Sequence, residues 1–227
     1  MTRNLFVSSR LVVVVLAVAT ACTSEQPSAG TSAQVQQDTV LDHLPRQVTA
    51  MLAFQDQMRK LWEDHIQWTR HFIISTAHDL PDAGPVTQRL LANQVDIGNA
   101  FRGFYGDAVA NQLTQLLTDH ILIAARIVGA AKAGDNNTVT TATADWNANA
   151  DQIAGLWAQI NPQSWPLDVM KHHMHEHLQL TLDEAVLRLQ GNFAGDIAKY
   201  EEVHAAILDM ADMLSLGIIR QFPNKFP

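Results

Sequence analysis

Cysteine is almost absent: Cys22 is the only one, so no disulfide can close within the chain and any fold must rest on its apolar core. Basic residues are also scarce. Fifteen lysines and arginines stand against 23 acids, for a formal net charge of −8, and no stretch gathers them into a stripe that could track nucleic acid. The same acidity repels anionic lipid. Alternating apolar and polar runs of strand length are missing. The N-terminal apolar run LVVVVLAVATA is shorter than the roughly 20 residues that span a bilayer. No phosphate-cradling glycine loop, GxSxG elbow or HExxH helix occurs, which leaves nucleotide, esterase and zincin chemistry without a motif.

What is present begins with a leader. Arg3 and Arg10 precede the apolar run, and small residues close it, the form of an export signal over 1–21. Ala19-Thr20-Ala21-Cys22 resembles the lipobox of bacterial lipoproteins, with alanine instead of the commoner leucine three residues before the cysteine. The resemblance implies that Cys22 is acylated with diacylglycerol and becomes the N-terminus of an extracytoplasmic protein held to the cell membrane by its lipid. A cut after Ala19-x-Ala21 would instead leave a secreted protein. The lone cysteine favours lipidation, because it would otherwise be an unexplained exposed thiol, and a lipid-bound sulfur has no part in thiol catalysis. Without Arg3 and Arg10, 13 basic and 23 acidic residues give the remaining 206 residues a formal charge of −10. Residues 22–47, rich in Ser, Thr, Gln and Ala with no sustained period, read as the attachment cysteine and a flexible tether.

Over 48–227 apolar residues recur every three or four positions, broken by LPDAGP, FYGD, AGDNN, NPQSWP and QGNFAGD. The pattern predicts an all-α domain of six helices, over 48–79, 85–103, 107–132, 138–160, 166–190 and 196–220. Asp107, Asn137 and Asp196 are candidate N-caps, and Ser164 a cap ahead of Pro166. Short links predict antiparallel neighbours in an up-and-down bundle.

Six polar residues then stand out by spacing. His65, Asn93, His120, Asn149, His177 and His204 follow one another at intervals of 28, 27, 29, 28 and 27 residues, one per predicted helix. A one-residue irregularity moves a side chain only about 1.5 Å along a helix axis, so all six are expected at one level of the bundle. Each lies among apolar residues three and four positions away, as His120 does among Leu116, Leu117 and Ile123. An acid, Asp64, Asp119 or Glu176, immediately precedes each of His65, His120 and His177, which suggests three repeated helical hairpins. Those acids are placed to orient a histidine on a neighbouring helix.

Two readings of this layer follow. Hydrogen bonds among its members and to nearby acids and threonines would make it architecture, fixing helix register. Alternatively His65, His120, His177 and His204, with His173 one turn before His177 and Glu201 one turn before His204, could hold zinc or copper. Within KHHMHEHL (171–178), His172 and His175 fall on other faces. Glu201-x-x-His204 has the spacing of di-iron bundles, but that site needs a second copy and two further glutamates. A third option is a small-ligand pocket lined by tryptophans and the layer. The domain resembles an uncharacterised family of bacterial helical proteins through LWEDHIQWTRHFIIS (61–75) and MADMLSLGIIRQFP (210–223), a resemblance that implies no function. The expected function is non-enzymatic: a lipid-anchored binding or interaction module with a protein partner at the cell surface, or a metal binder.

Overall fold

Two glycines in the left-handed region end one helix each, and the residue after each caps the next. Gly134 (φ 73°) closes a helix onto the carbonyls of Ala130 and Ala131, and Asp135 then accepts from the Thr138 amide at 3.1 Å. Gly191 (φ 73°) precedes Asn192, whose Oδ1 accepts from the Gly195 amide at 3.1 Å. In the computed structural model, which describes residues 45–227, these caps help to delimit α1 (Arg46–Ala77), α2 (Ala83–Ala133), α3 (Asn136–Ile160), α4 (Leu167–Leu189) and α5 (Phe193–Gln221), followed by a 3₁₀ turn at Pro223–Lys225. The described residues are otherwise turns, with no strand among them. The expected signal at 1–21 and Cys22 lie outside the described residues, as does the tether up to residue 44.

Five helices form where the hydrophobic period predicts six. The stretches 85–103 and 107–132 are the two limbs of α2, interrupted at Gly106, whose φ of 82° and ψ of 177° no helix contains. The limbs double back on each other. Sixteen residues of straight helix would separate positions 98 and 114 by about 24 Å, yet a Cβ at Gly98 would lie 1.9 Å from Thr114 Oγ1 and 2.9 Å from the Ala110 carbonyl. Glycine is therefore required at 98 for the limbs to meet. Asp107 caps nothing; it pairs with Arg102, which also reaches Asn111 at 2.9 Å.

The other predicted caps shift as well. Asp135 takes the place expected of Asn137, and Asn192 that of Asp196, so α5 begins three residues earlier than the period indicates. Ahead of α4 the capping position is Pro166, not Ser164.

Each helix packs on the next in sequence, and α5 returns to α1, closing the array around one large core and a smaller one at Phe72, Ile73, Leu90 and Ile121. The link from α3 to α4 is locked onto α5. Trp165 is fully buried over Gly217, its Nε1 donating to the Met213 carbonyl at 3.2 Å, while Asn161 Nδ2 donates to the Gly217 carbonyl at 3.0 Å. None of the helices described is long and apolar enough to cross a membrane.

Candidate functional site

Five of the six evenly spaced polar residues are buried. His65, Asn93, His120, Asn149 and His177 are each at most 5% exposed, whereas His204 lies at the surface with its Nε2 2.8 Å from Glu63 Oε1. The helical period placed them there: each shares its face with core residues such as Trp62 and Ile66 on α1 or Leu113 and Leu117 on α2.

The first two hairpins use one device twice. Asn93 Nδ2 donates to the Leu61 carbonyl, four residues before His65, and Asn149 Nδ2 donates to the Leu116 carbonyl, four residues before His120, both at 3.0 Å. With its amide nitrogen committed, Asn149 presents Oδ1 to His120 Nδ1 at 2.9 Å, so the His120 proton sits on Nδ1 and Nε2 keeps its lone pair. His65 Nδ1 lies 3.3 Å from Gln94 Nε2, whose two hydrogens are shared among three acceptors: the Leu90 carbonyl at 2.8 Å, Asn93 Oδ1 at 3.3 Å and, in the tautomer protonated on Nε2, this ring nitrogen.

His177 on α4 stands between them. Its ring centroid is 5.8 Å from that of His65 and 6.2 Å from that of His120, and indoles flank the row, Trp62 at 5.7 Å from His65 and Trp146 at 5.0 Å from His120. Trp157 closes on Trp62 at 6.0 Å. Burial holds all three imidazoles neutral. It lowers His120 to about 4 against a smaller opposing pull from Asn149, and lowers His177 to about 3, helped by His120. His65 falls well below 6.5 through burial and then through His177 and His120.

The centre is not closed by its own hydrogen bonds. Among the described residues, His177 Nδ1, Gln94 Oε1 and the Nε1 atoms of Trp62, Trp146 and Trp157 are buried without a partner, as is Thr181 Oγ1 one turn after His177. The register of the first two hairpins does not recur in the third: Gln94 lies 29 residues after His65 and Asn149 lies 29 after His120, whereas 29 after His177 comes Ala206, which lines a surface groove with His173 and Glu176.

The acids expected to orient the histidines do not reach them. Asp64 pairs with Lys60 at 2.5 Å, Asp119 accepts from Gln115 at 2.9 Å, and Glu176 is exposed in a surface groove with His173, Glu202 and Asp209. Asp96 pairs with Arg89, and Asp151 with Lys171 and His175, while Thr69 bonds the His65 carbonyl. Glu201 is exposed. His204, His173 and Glu201 therefore stand apart from the buried trio, and no three His, Cys, Asp or Glu side chains among the described residues are arranged to hold a metal ion as placed.

Two features escaped the spacing argument. Gln94 is the partner of His65, and the 29-residue register shared with Asn149 was the signal for it. The second is a buried charge cluster. Arg70 on α1 binds Glu184 of α4 at 2.6 Å and Asp196 of α5 at 2.7 and 3.2 Å, and Arg188 adds a bond to Asp196 at 3.2 Å. Glu184 and Asp196 are at most 1% exposed. No periodicity announces such a cluster, because its members come from three helices with no common interval. No protein-family model, curated protein or solved structure matches the chain.

Proposed function

We propose that this chain is a lipid-anchored, extracytoplasmic binding protein, non-enzymatic, whose site is the imidazole and indole centre of the bundle. Counting the limbs of α2 separately, six antiparallel segments make three helical hairpins, and each hairpin contributes one histidine to the centre.

One observation carries the reading: five partnerless polar atoms gathered along one row of rings. Buried polar groups in native proteins are almost always paired, and each left unpaired costs about 1–3 kcal/mol. A layer that served only to fix register would satisfy its own atoms, as the Asn93 and Asn149 amides do. A guest that offers both hydrogen-bond acceptors to the indoles and a partner to His177 resolves the deficit. The lipid anchor rests on the leader and on Cys22 as the sole cysteine.

The test uses full-length protein isolated from membranes in detergent. Native mass spectrometry should find a mass above that of the diacylglyceryl chain that leaves on unfolding, and a crystal structure should show density touching His177 Nδ1. A bare chain mass with only water at the centre returns the layer to architecture. Cys22→Ser should move the protein from the membrane to the soluble fraction; retention in the membrane refutes the anchor.

A further inference from the structure

We infer that a small uncharged guest reaches the centre through the seam between α3 and α4, with the Trp146 indole as its door and His175 as the latch across it. The inference rests on the binding reading above and adds the route to it.

Trp146 faces two spaces at once. Outside it lies a surface groove of about 160 Å³, whose walls include Thr143, Asn147, His175 and Leu182. Inside it lies a cavity of about 20 Å³ bounded by Phe72, Ile127, Val128, Thr181 and, again, Leu182. Trp146 and Leu182 belong to both walls, and the indole also packs on His120 with centroids 5.0 Å apart, so the ring that floors the groove flanks the histidine row. Packing alone holds that ring. Its Nε1 is buried without a partner among the described residues, whereas Trp165 is pinned by its bond to the Met213 carbonyl at 3.2 Å. The wider groove between the second limb of α2 and α3 also touches the layer, but there the floor is Asn149, bonded to the Leu116 carbonyl on one side and to His120 on the other. Turned out into the α3–α4 groove, the Trp146 ring would give Nε1 to solvent and join the inner cavity to the surface. A buried donor without a partner costs about 1–3 kcal/mol, and the open position relieves that cost.

His175 ties the seam above this ring. From α4 it sets Nδ1 2.8 Å from Asn147 Oδ1 and Nε2 2.9 Å from Asp151 Oδ1, two residues one turn apart on α3. Asn147 is oriented for the contact by donating its Nδ2 to the Thr143 carbonyl at 2.8 Å, and Asp151 also accepts from Lys171 at 2.8 Å. The side chains of His175 and Asp151 are 41% and 40% exposed, so water can take over their bonds when the latch releases. What lies beyond the door selects the guest. The cavity walls carry no ionised side chain, and burial keeps His120 and His177 neutral, so an uncharged molecule avoids the penalty that a charge would meet there. At about 20 Å³ the closed cavity has room for one water-sized body, and anything larger must use the space the indole vacates.

NMR of the full-length protein in detergent reads the door from the exchange of assigned indole N–H groups with deuterated water. Trp62, Trp146 and Trp157 are each at most 3% exposed, so a core without a door protects all three alike. Trp146 is expected to exchange at least about ten-fold faster than the other two, as a locally opening group does. His175→Leu should speed Trp146 by a further two- to five-fold or so, the scale of a partly exposed polar pair, and leave Trp62 and Trp157 unchanged. Asn147→Ala removes half of the latch from the facing helix and should act in the same direction, and far-UV circular dichroism confirms that each variant folds. Protection of Trp146 equal to that of Trp62 and Trp157 overturns the door. Equal acceleration of all three indoles, or of none, in both variants overturns the latch. A chain whose Trp146 opens while no guest mass is found keeps the route and removes the binding reading, whereas a guest bound behind a Trp146 that stays protected removes the route alone.

Discussion

Removing the charge from Glu184 should stabilise the protein at neutral and alkaline pH. Glu184 is 1% exposed, and burial pushes its carboxyl up to about 7, against the pull of Arg70 at 2.6 Å. Between the ordinary 4.5 and about 7, at about 1.4 kcal/mol for each tenfold change in proton affinity, the folded state disfavours the ionised form by about 3 kcal/mol. Because the folded value is raised, the stabilising contribution is complete below about 4.5 and is lost as pH climbs through about 7. Glu184→Gln keeps an oxygen for Arg70 and never ionises. Its melting temperature should match wild type near pH 4.5 and exceed it at pH 8 by about 6–12 °C, taking about 2–4 °C per kcal/mol for a domain of this size. Calorimetry of both proteins across that range reads the difference directly, since every other titrating group is common to the two. A Glu184→Gln protein less stable than wild type at pH 8 would refute the reasoning. It would mean that the attraction of Arg70 for the buried anion exceeds its desolvation, so that breaking the pair strands a cation.

Two further predictions concern the core. The buried neutral histidines act in the opposite sense: their stability is intact above about 6.5 and is lost as pH falls toward about 4 for His120 and about 3 for His177. Urea unfolding in the Glu184→Gln background, where the glutamate slope is gone, should show the midpoint dropping between pH 6.5 and 4, and a flat profile would contradict buried neutral rings. Gly217→Ala would set a Cβ 2.3 Å from Trp165 Nε1. Overpacking of this kind should cost about 1–3 kcal/mol, read as a lower urea midpoint and altered tryptophan emission, and an unchanged midpoint would show that Trp165 is free to move.

The helical period made most of the fold legible, since α1, α3, α4 and α5 begin and end within a few residues of where the apolar repeat starts and stops. The six-to-five difference turns on Gly106. A single left-handed residue reverses the chain without a helix-ending cap, and hydrophobic spacing, which reports only faces, sees two helices there. Cap positions were displaced for a related reason: Asp135 and Asn192 sit directly after left-handed glycines, and the glycine, more than the next polar residue, marks where a helix can restart. The burial of His65, Asn93, His120, Asn149 and His177 was legible because spacing and face agree. The bonds of the layer were not, since the acids beside the histidines lie about 100° round the helix and find lysine, glutamine or solvent first.

The departure from repetition is where chemistry collects. In the first two hairpins an amide 29 residues after the histidine engages its Nδ1, and an asparagine one level with it ties down a carbonyl of the preceding segment. The third hairpin departs from this: position 206 is an alanine lining a surface groove, His204 is turned outward to Glu63, and His177 Nδ1 is buried without a partner. Of the two flanking rings, His120 is tied by Asn149 at 2.9 Å and His65 meets only the edge of the Gln94 amide at 3.3 Å, so the deficit in protein partners falls on the ring between them, and a partner for His177 Nδ1 has to come from outside the three-hairpin pattern.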